Sequence, residues 1–160
     1  MRAESEFYVP DDAILRELGH LQIVHSHLDH MLQLAIKRML GISIDDPGYW
    51  GETKAMSAGL RCRTRELISE RYGDDEDTAD ILNKVLDDAE EVTTLRNRAL
   101  HSVWMKAPDS EAVLHDRDNL LKVHVAYQLP SAETLAGLSQ RISRIQGVLN
   151  NLTRKLLPRT

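Results

Sequence analysis

The chain has 160 residues, 42% of them hydrophobic and 28% charged, which is enough length and apolar content for one domain with a buried core. A formal charge of -5 argues against a protein that coats nucleic acid with a broad basic surface, so any phosphate contact has to be local. The single cysteine, Cys62, permits neither an internal disulfide nor a cysteine zinc cluster, and "MRAESEFYVPDD" lacks the apolar stretch of a signal peptide. No membrane-length apolar run occurs either, so the chain reads as cytoplasmic.

In chain order, "PDD" opens the first helix with Asp11 or Asp12 as its cap, and Gly41 closes it. Steps of 100° per residue put Ile14, Leu18, Leu21, Leu28, Leu32, Ala35, Ile36 and Met39 on one core-facing stripe. "GISIDDPGYWG" reads as a loop, Lys54 to Tyr72 as a second helix, and "GDDEDTAD" as the acidic start of a third. The apolar stripe of the third helix is Ile81, Leu82, Val85, Ala89, Val92, Ala99, Leu100 and Val103. Residues 112–127 then alternate like a small β-hairpin, with Leu121, Val123, Val125 and Tyr127 on one side. "PSAET" starts a last helix with Leu135, Leu138, Ile142, Ile145, Val148, Leu152 and Leu156 at three- and four-residue intervals.

The third helix ends in "LRNRALHSVW", residues 95–104. On the angular map Arg96 falls within about 20° of Val85, inside the apolar stripe. A guanidinium cannot shed its proton, so on a buried stripe it needs a partner. Gln22, His25 and Asp29 line one edge of the stripe on the first helix and Glu17 the other; Asp29, the one carboxylate on the first edge, is the expected partner. Asn97 and His101 share a helical face four residues apart. Arg96 and His101 are about 140° apart in an unbroken helix, so they converge only if the helix ends near Leu100 or the arginine wraps around.

"R-N-R-A-L-H" at 96–101 resembles the motif of HEPN domains, the higher eukaryote and prokaryote nucleotide-binding helical bundles: an arginine, a polar residue, three variable residues and a histidine. The layout is similar over residues 12–104, with a long first helix carrying an acidic residue, a second helix, and the motif at the end of a later one. The expected fold is therefore mainly α, a HEPN-like up-down helical bundle of four to five helices with a small β-hairpin before the C-terminal helix. It forms a single domain over residues 1–160, with its core at 12–104 and an accessory hairpin and helix at 108–160. The resemblance implies a metal-independent endoribonuclease without cofactors, of a toxin, RNA-processing or defence type, cutting RNA in a cleft between two subunits of a homodimer. It equally admits a catalytically silent relative that binds nucleotides or proteins. A cognate antitoxin or a nucleotidyltransferase would be the partner. Carried over, the catalytic positions are Arg96, Asn97 and His101, and the acidic residue of the first helix corresponds to Asp29.

The residue types suit that chemistry. Metal-free RNA cleavage needs a base and an acid, which histidine supplies, and a cation for the phosphorane oxygens, which arginine supplies. One histidine per subunit leaves one proton-transfer role empty, and a second copy would fill it. Arg61 and Arg65 share a face of the second helix and can extend a basic strip toward RNA, with Arg98 as a further support; pairing with Glu66 and Glu70 is the plainer reading. Arg98 and Ser102 also suit an ordinary surface. His20, His27 and His30 are spaced poorly for one ion and read as solvated, whereas His25 lies in the apolar stripe and reads as a hydrogen-bonded core or interface residue. Trp50 and Trp104 read as packing residues, and no glycine elbow surrounds Ser102 to make it a nucleophile.

Overall fold

The structure, a computed structural model of the chain, describes residues 6–106, 111, 113–118 and 123–156. Its elements in order are β1 (Glu6–Phe7), α1 (Asp12–Leu40), α2 (Pro47–Thr53), α3 (Ser57–Tyr72), α4 (Glu76–His101), β2 (Val103–Lys106), β3 (Val113–Asp118), β4 (Val123–Gln128) and α5 (Ala132–Leu156). The protein is a mainly helical bundle with a small antiparallel sheet.

Capping chemistry sets the ends of α1. The Asp11 carboxylate accepts the Ile14 N–H at 2.9 Å, and Gly41 takes the left-handed conformation at φ 68 while donating to the Arg38 carbonyl. Of the expected α1 stripe, Leu21, Leu28, Leu32, Ala35, Ile36 and Met39 are buried, and Ile14 and Leu18 pack partly exposed against them. Of the stripe expected for the third helix, Leu82, Val85, Ala89, Val92 and Ala99 are buried in α4, whereas Ile81 is exposed and Val103 lies beyond the helix, exposed in β2.

The glycine-rich stretch expected to be a loop contains α2 instead. Asp46 caps it by accepting the Gly48 N–H at 2.7 Å, and Pro47 occupies the first turn, where its missing N–H costs nothing. α3 begins at Ser57, three residues later than expected, and α4 ends at His101, before Val103 and Trp104. Ser102 turns extended and β2 follows. The hairpin of β3 and β4 is present, but it belongs to a four-stranded sheet in the order β1-β2-β3-β4. Glu6 pairs with Lys106 and Phe7 with Met105. Within that hairpin, Ala112 and Leu121 lie outside the described residues.

Around the bundle, α1 packs against α3 and α5, α4 packs against the same two, and α1 and α4 also meet directly. Cross-links fix the helix directions. Ser57 of α3 meets Asp29 and Arg71 meets the Met39 carbonyl, so α3 runs in the same sense as α1. Gln146 of α5 meets the Val24 carbonyl and Thr153 meets Arg38, so α5 does too. Only α4 runs against the other three: Arg65 reaches back from α3 to Asp87 and Glu90. The link from residue 41 to 56, with α2 inside it, carries the chain back before α3 starts. Leu135, Ile142, Ile145 and Leu149 place α5 in the same core as the earlier helices. Among the described residues no helix is long and apolar enough to cross a membrane.

Candidate active site at the end of α4

Arg96 is the centre of the polar cluster. It is half-buried, and its side chain bridges three groups: Nη1 donates to Asn97 Oδ1 at 2.6 Å and to His101 Nε2 at 3.3 Å, and Nη2 donates to Gln22 Oε1. Asn97 and His101 are exposed. α4 stays helical through His101, so the 140° that separates Arg96 from His101 is closed by the arginine wrapping around the helix. An arginine N–H can only donate, so His101 Nε2 is the acceptor here and the neutral ring carries its proton on Nδ1. Arg96 Nε is buried and has no partner among the described residues. Burial lowers the Arg96 pKa from the usual arginine value, with the Asp29 charge opposing it, and the group stays cationic.

The partner expected for Arg96 was Asp29, and the structure gives that place to Gln22. The register of the two antiparallel helices explains it. Gln22 meets Arg96 and His25 meets Thr93, which sets Asp29 level with Ala89, seven residues and about 10 Å along the helix from Arg96. Asp29 instead accepts a 2.7 Å hydrogen bond from the Ser57 hydroxyl and lies 3.7 Å from His25 Nδ1.

Beneath the surface cluster is a second polar layer built on Thr93. Its hydroxyl donates to the Ala89 carbonyl at 2.6 Å, so its oxygen accepts from Arg61 Nη1 at 3.2 Å and from His25 Nε2 at 3.0 Å. The His25 ring therefore carries its proton on Nε2. His25 is buried in the core, as its position on the stripe implied. Its pKa is lowered, first by burial, then by the Arg96 and Arg61 charges, against the opposing pull of Asp29. Thr93 was not foreseen; the only trace it leaves in the sequence is a hydroxyl inside the buried stripe, four residues after Ala89.

The other candidates lie apart. Arg61 is buried, and desolvation lowers its pKa against the opposing charges of Glu90 and Asp29. Arg65 is held by Asp87 at 2.8 Å and Glu90 at 3.2 Å. Glu66 and Glu70 pair with Arg63 rather than with either of them. Arg98 sits away from Arg96, 4.0 Å from the centre of the Tyr127 ring. Ser102 is buried rather than on the surface. Trp104 packs as expected, stacked on Tyr8 with centroids 6.3 Å apart and its Nε1 donating to the Ala99 carbonyl at 3.1 Å. Trp50 does not: it is 67% exposed and touches Tyr49 edge-on. His20, His27 and His30 are exposed, and the described residues contain no group of three or more His, Cys, Asp or Glu side chains able to hold a metal ion.

No known protein family, curated protein or solved structure matches this chain. Within one chain the cluster brings together a guanidinium, an imidazole and an amide at the end of α4, with Asn97 and His101 exposed.

Proposed function

We propose that the protein is a HEPN-type, metal-independent endoribonuclease that cuts RNA at the Arg96, Asn97 and His101 cluster and works as a homodimer. The observation that carries this reading is the convergence of Arg96 on both Asn97 and His101 at the helix end, the geometry that the motif needs. In this reading a backbone phosphate draws the Arg96 fork onto its oxygens, in the bidentate manner that suits guanidinium. That releases the His101 Nε2 lone pair, which takes the proton of the neighbouring 2′-hydroxyl as the oxygen attacks phosphorus. Asn97 holds a phosphate oxygen, and His101 of a second subunit supplies the proton to the leaving 5′-oxygen.

A second reading has its own support: Gln22, Asn97 and His101 already occupy much of the Arg96 donor set within one chain, as a catalytically silent cluster in a binding module would. The His101→Ala variant separates the two. His101 is exposed, so the substitution should shift the melting temperature by no more than about 2 °C. Cleavage of single-stranded RNA should fall by about 10² or more, and sedimentation should show a dimer. Wild-type protein that cuts no RNA, or a variant that cuts as well as wild type, rejects the enzymatic reading.

A further inference from the structure

Where the last turns of α4 meet the end of β4 and the first turns of α5, the chain leaves an open cleft of about 540 Å³. That volume lies within the range that holds small organic ligands. Leu95 and Ala99 from α4 and Leu135 and Leu138 from α5 give it an apolar floor, while Arg98 and Arg141 are the charged residues of a lining that includes no carboxylate. Arg141 is already compensated, because the Glu91 carboxylate accepts from it at 3.1 and 2.5 Å. Arg98 is not. Among the described residues its side chain makes no hydrogen bond or ion pair, and its guanidinium lies against the Tyr127 ring, 4.0 Å from the centroid. Stacking of this kind holds the guanidinium in place and leaves its N–H donors for an acceptor in its own plane. The first turn of α5, at Thr134, lines the same cleft and adds the positive end of a helix dipole. Leu95 and Asn97 are 200° apart around α4, so the cleft opens on the side of that helix away from the Arg96 and His101 cluster.

We propose that this cleft is a separate binding site for a small amphipathic anion, an apolar ring system or branched chain ending in a carboxylate or phosphate. The body lies on the leucine floor and the anionic end binds Arg98. The volume of the cleft suits a small molecule, and the unneutralised guanidinium favours an anion over a neutral ligand.

Calorimetric titration of the full chain with 2-naphthoate and with 2-naphthyl phosphate tests this and shows which anionic group the site prefers. At least one should bind saturably with a Kd of about 1 mM or tighter, as expected for a ligand of roughly a dozen heavy atoms. Naphthalene-2-methanol, which lacks the charge, and acetate and inorganic phosphate, which lack the body, should each bind about tenfold more weakly. Arg98→Gln should weaken the anion about tenfold. Gly137→Phe should abolish binding by filling the cleft: a Cβ at Gly137 meets nothing within 4 Å, and replacing a mid-helix glycine favours the helix, so the variant folds. No saturable binding of either anion, equal binding of the uncharged analogue, or full binding to both variants overturns the proposal, and none of these results depends on RNA cleavage.

Discussion

At the scale of single residues, the polar layer between α1 and α4 has a pH signature. His25 is buried with its Nε2 proton on Thr93, and desolvation holds its pKa below the ordinary 6.5. Its charged neighbours are Asp29 on α1, Arg61 on α3 and Arg96 on α4. As pH falls through 6.5, the unfolded chain takes up a proton on this residue before the folded chain does, so the folded state loses stability. The loss grows until pH reaches the lower folded value and then levels off. Melting temperatures between pH 7.5 and 5 should therefore decline more steeply for wild type than for His25→Gln, whose amide can still donate to Thr93 and does not titrate. Equal slopes would show that His25 is protonated as easily in the folded state as in the unfolded one. At this scale the sequence marked Arg96 and His25 as polar groups on apolar stripes, because such groups stand out in any periodic pattern, and the structure has His25 buried and Arg96 half-buried there. The sequence-based choice of Asp29 over Gln22 as the partner of Arg96 fails, since that choice depends on the register between two helices far apart in the chain.

At the scale of elements, caps and periodicity carry most of the information. Asp11, Gly41 and the leucine spacing define α1 within a residue or two, because each acts through hydrogen bonds or burial along a single helix. Gly41 shows this directly: at φ 68 a Cβ is strained, although nothing crowds it. Gly41→Ala should thus cost about 1 kcal/mol in a urea midpoint measurement, and an unchanged midpoint would mean the cap relaxes freely. α2 was missed because a proline and three glycines look like punctuation, yet Pro47 directly after Asp46 is also how a helix begins. The end of α4 was placed too late because Val103 extends the apolar period by one more residue. What stops the helix is the pairing of Val103 to Met105 with β3, an interaction no local pattern contains.

At the scale of the whole molecule, α1, α3, α4 and α5 close on one core. Leu86, only 1% exposed, sits in it with Leu21, Leu32, Ile68 and Leu149. Leu86→Ala should cost about 3 kcal/mol, or roughly 10 °C in melting temperature, in a single cooperative transition. A biphasic melt, with α5 lost separately, would contradict the common core. The sheet shows the same long reach. β1 lies at the start of the chain and pairs with β2 almost a hundred residues later, so Tyr8 stacks on Trp104 beside the end of the helix that carries His101.

The sequence alone determined the helical class, the hairpin, the core stripes, and the odd position of Arg96 with Asn97 and His101 close by. All of these are written in spacing within one element, where 3.6 residues per turn converts number into direction. Only the tertiary structure decided that Gln22 holds Arg96, that Thr93 joins Arg61 to His25, that α1, α3 and α5 run in one sense, and that a cleft opens beside Arg98. Those features depend on the packing of elements dozens of residues apart, where a shift of one turn exchanges one polar partner for another without altering any local pattern.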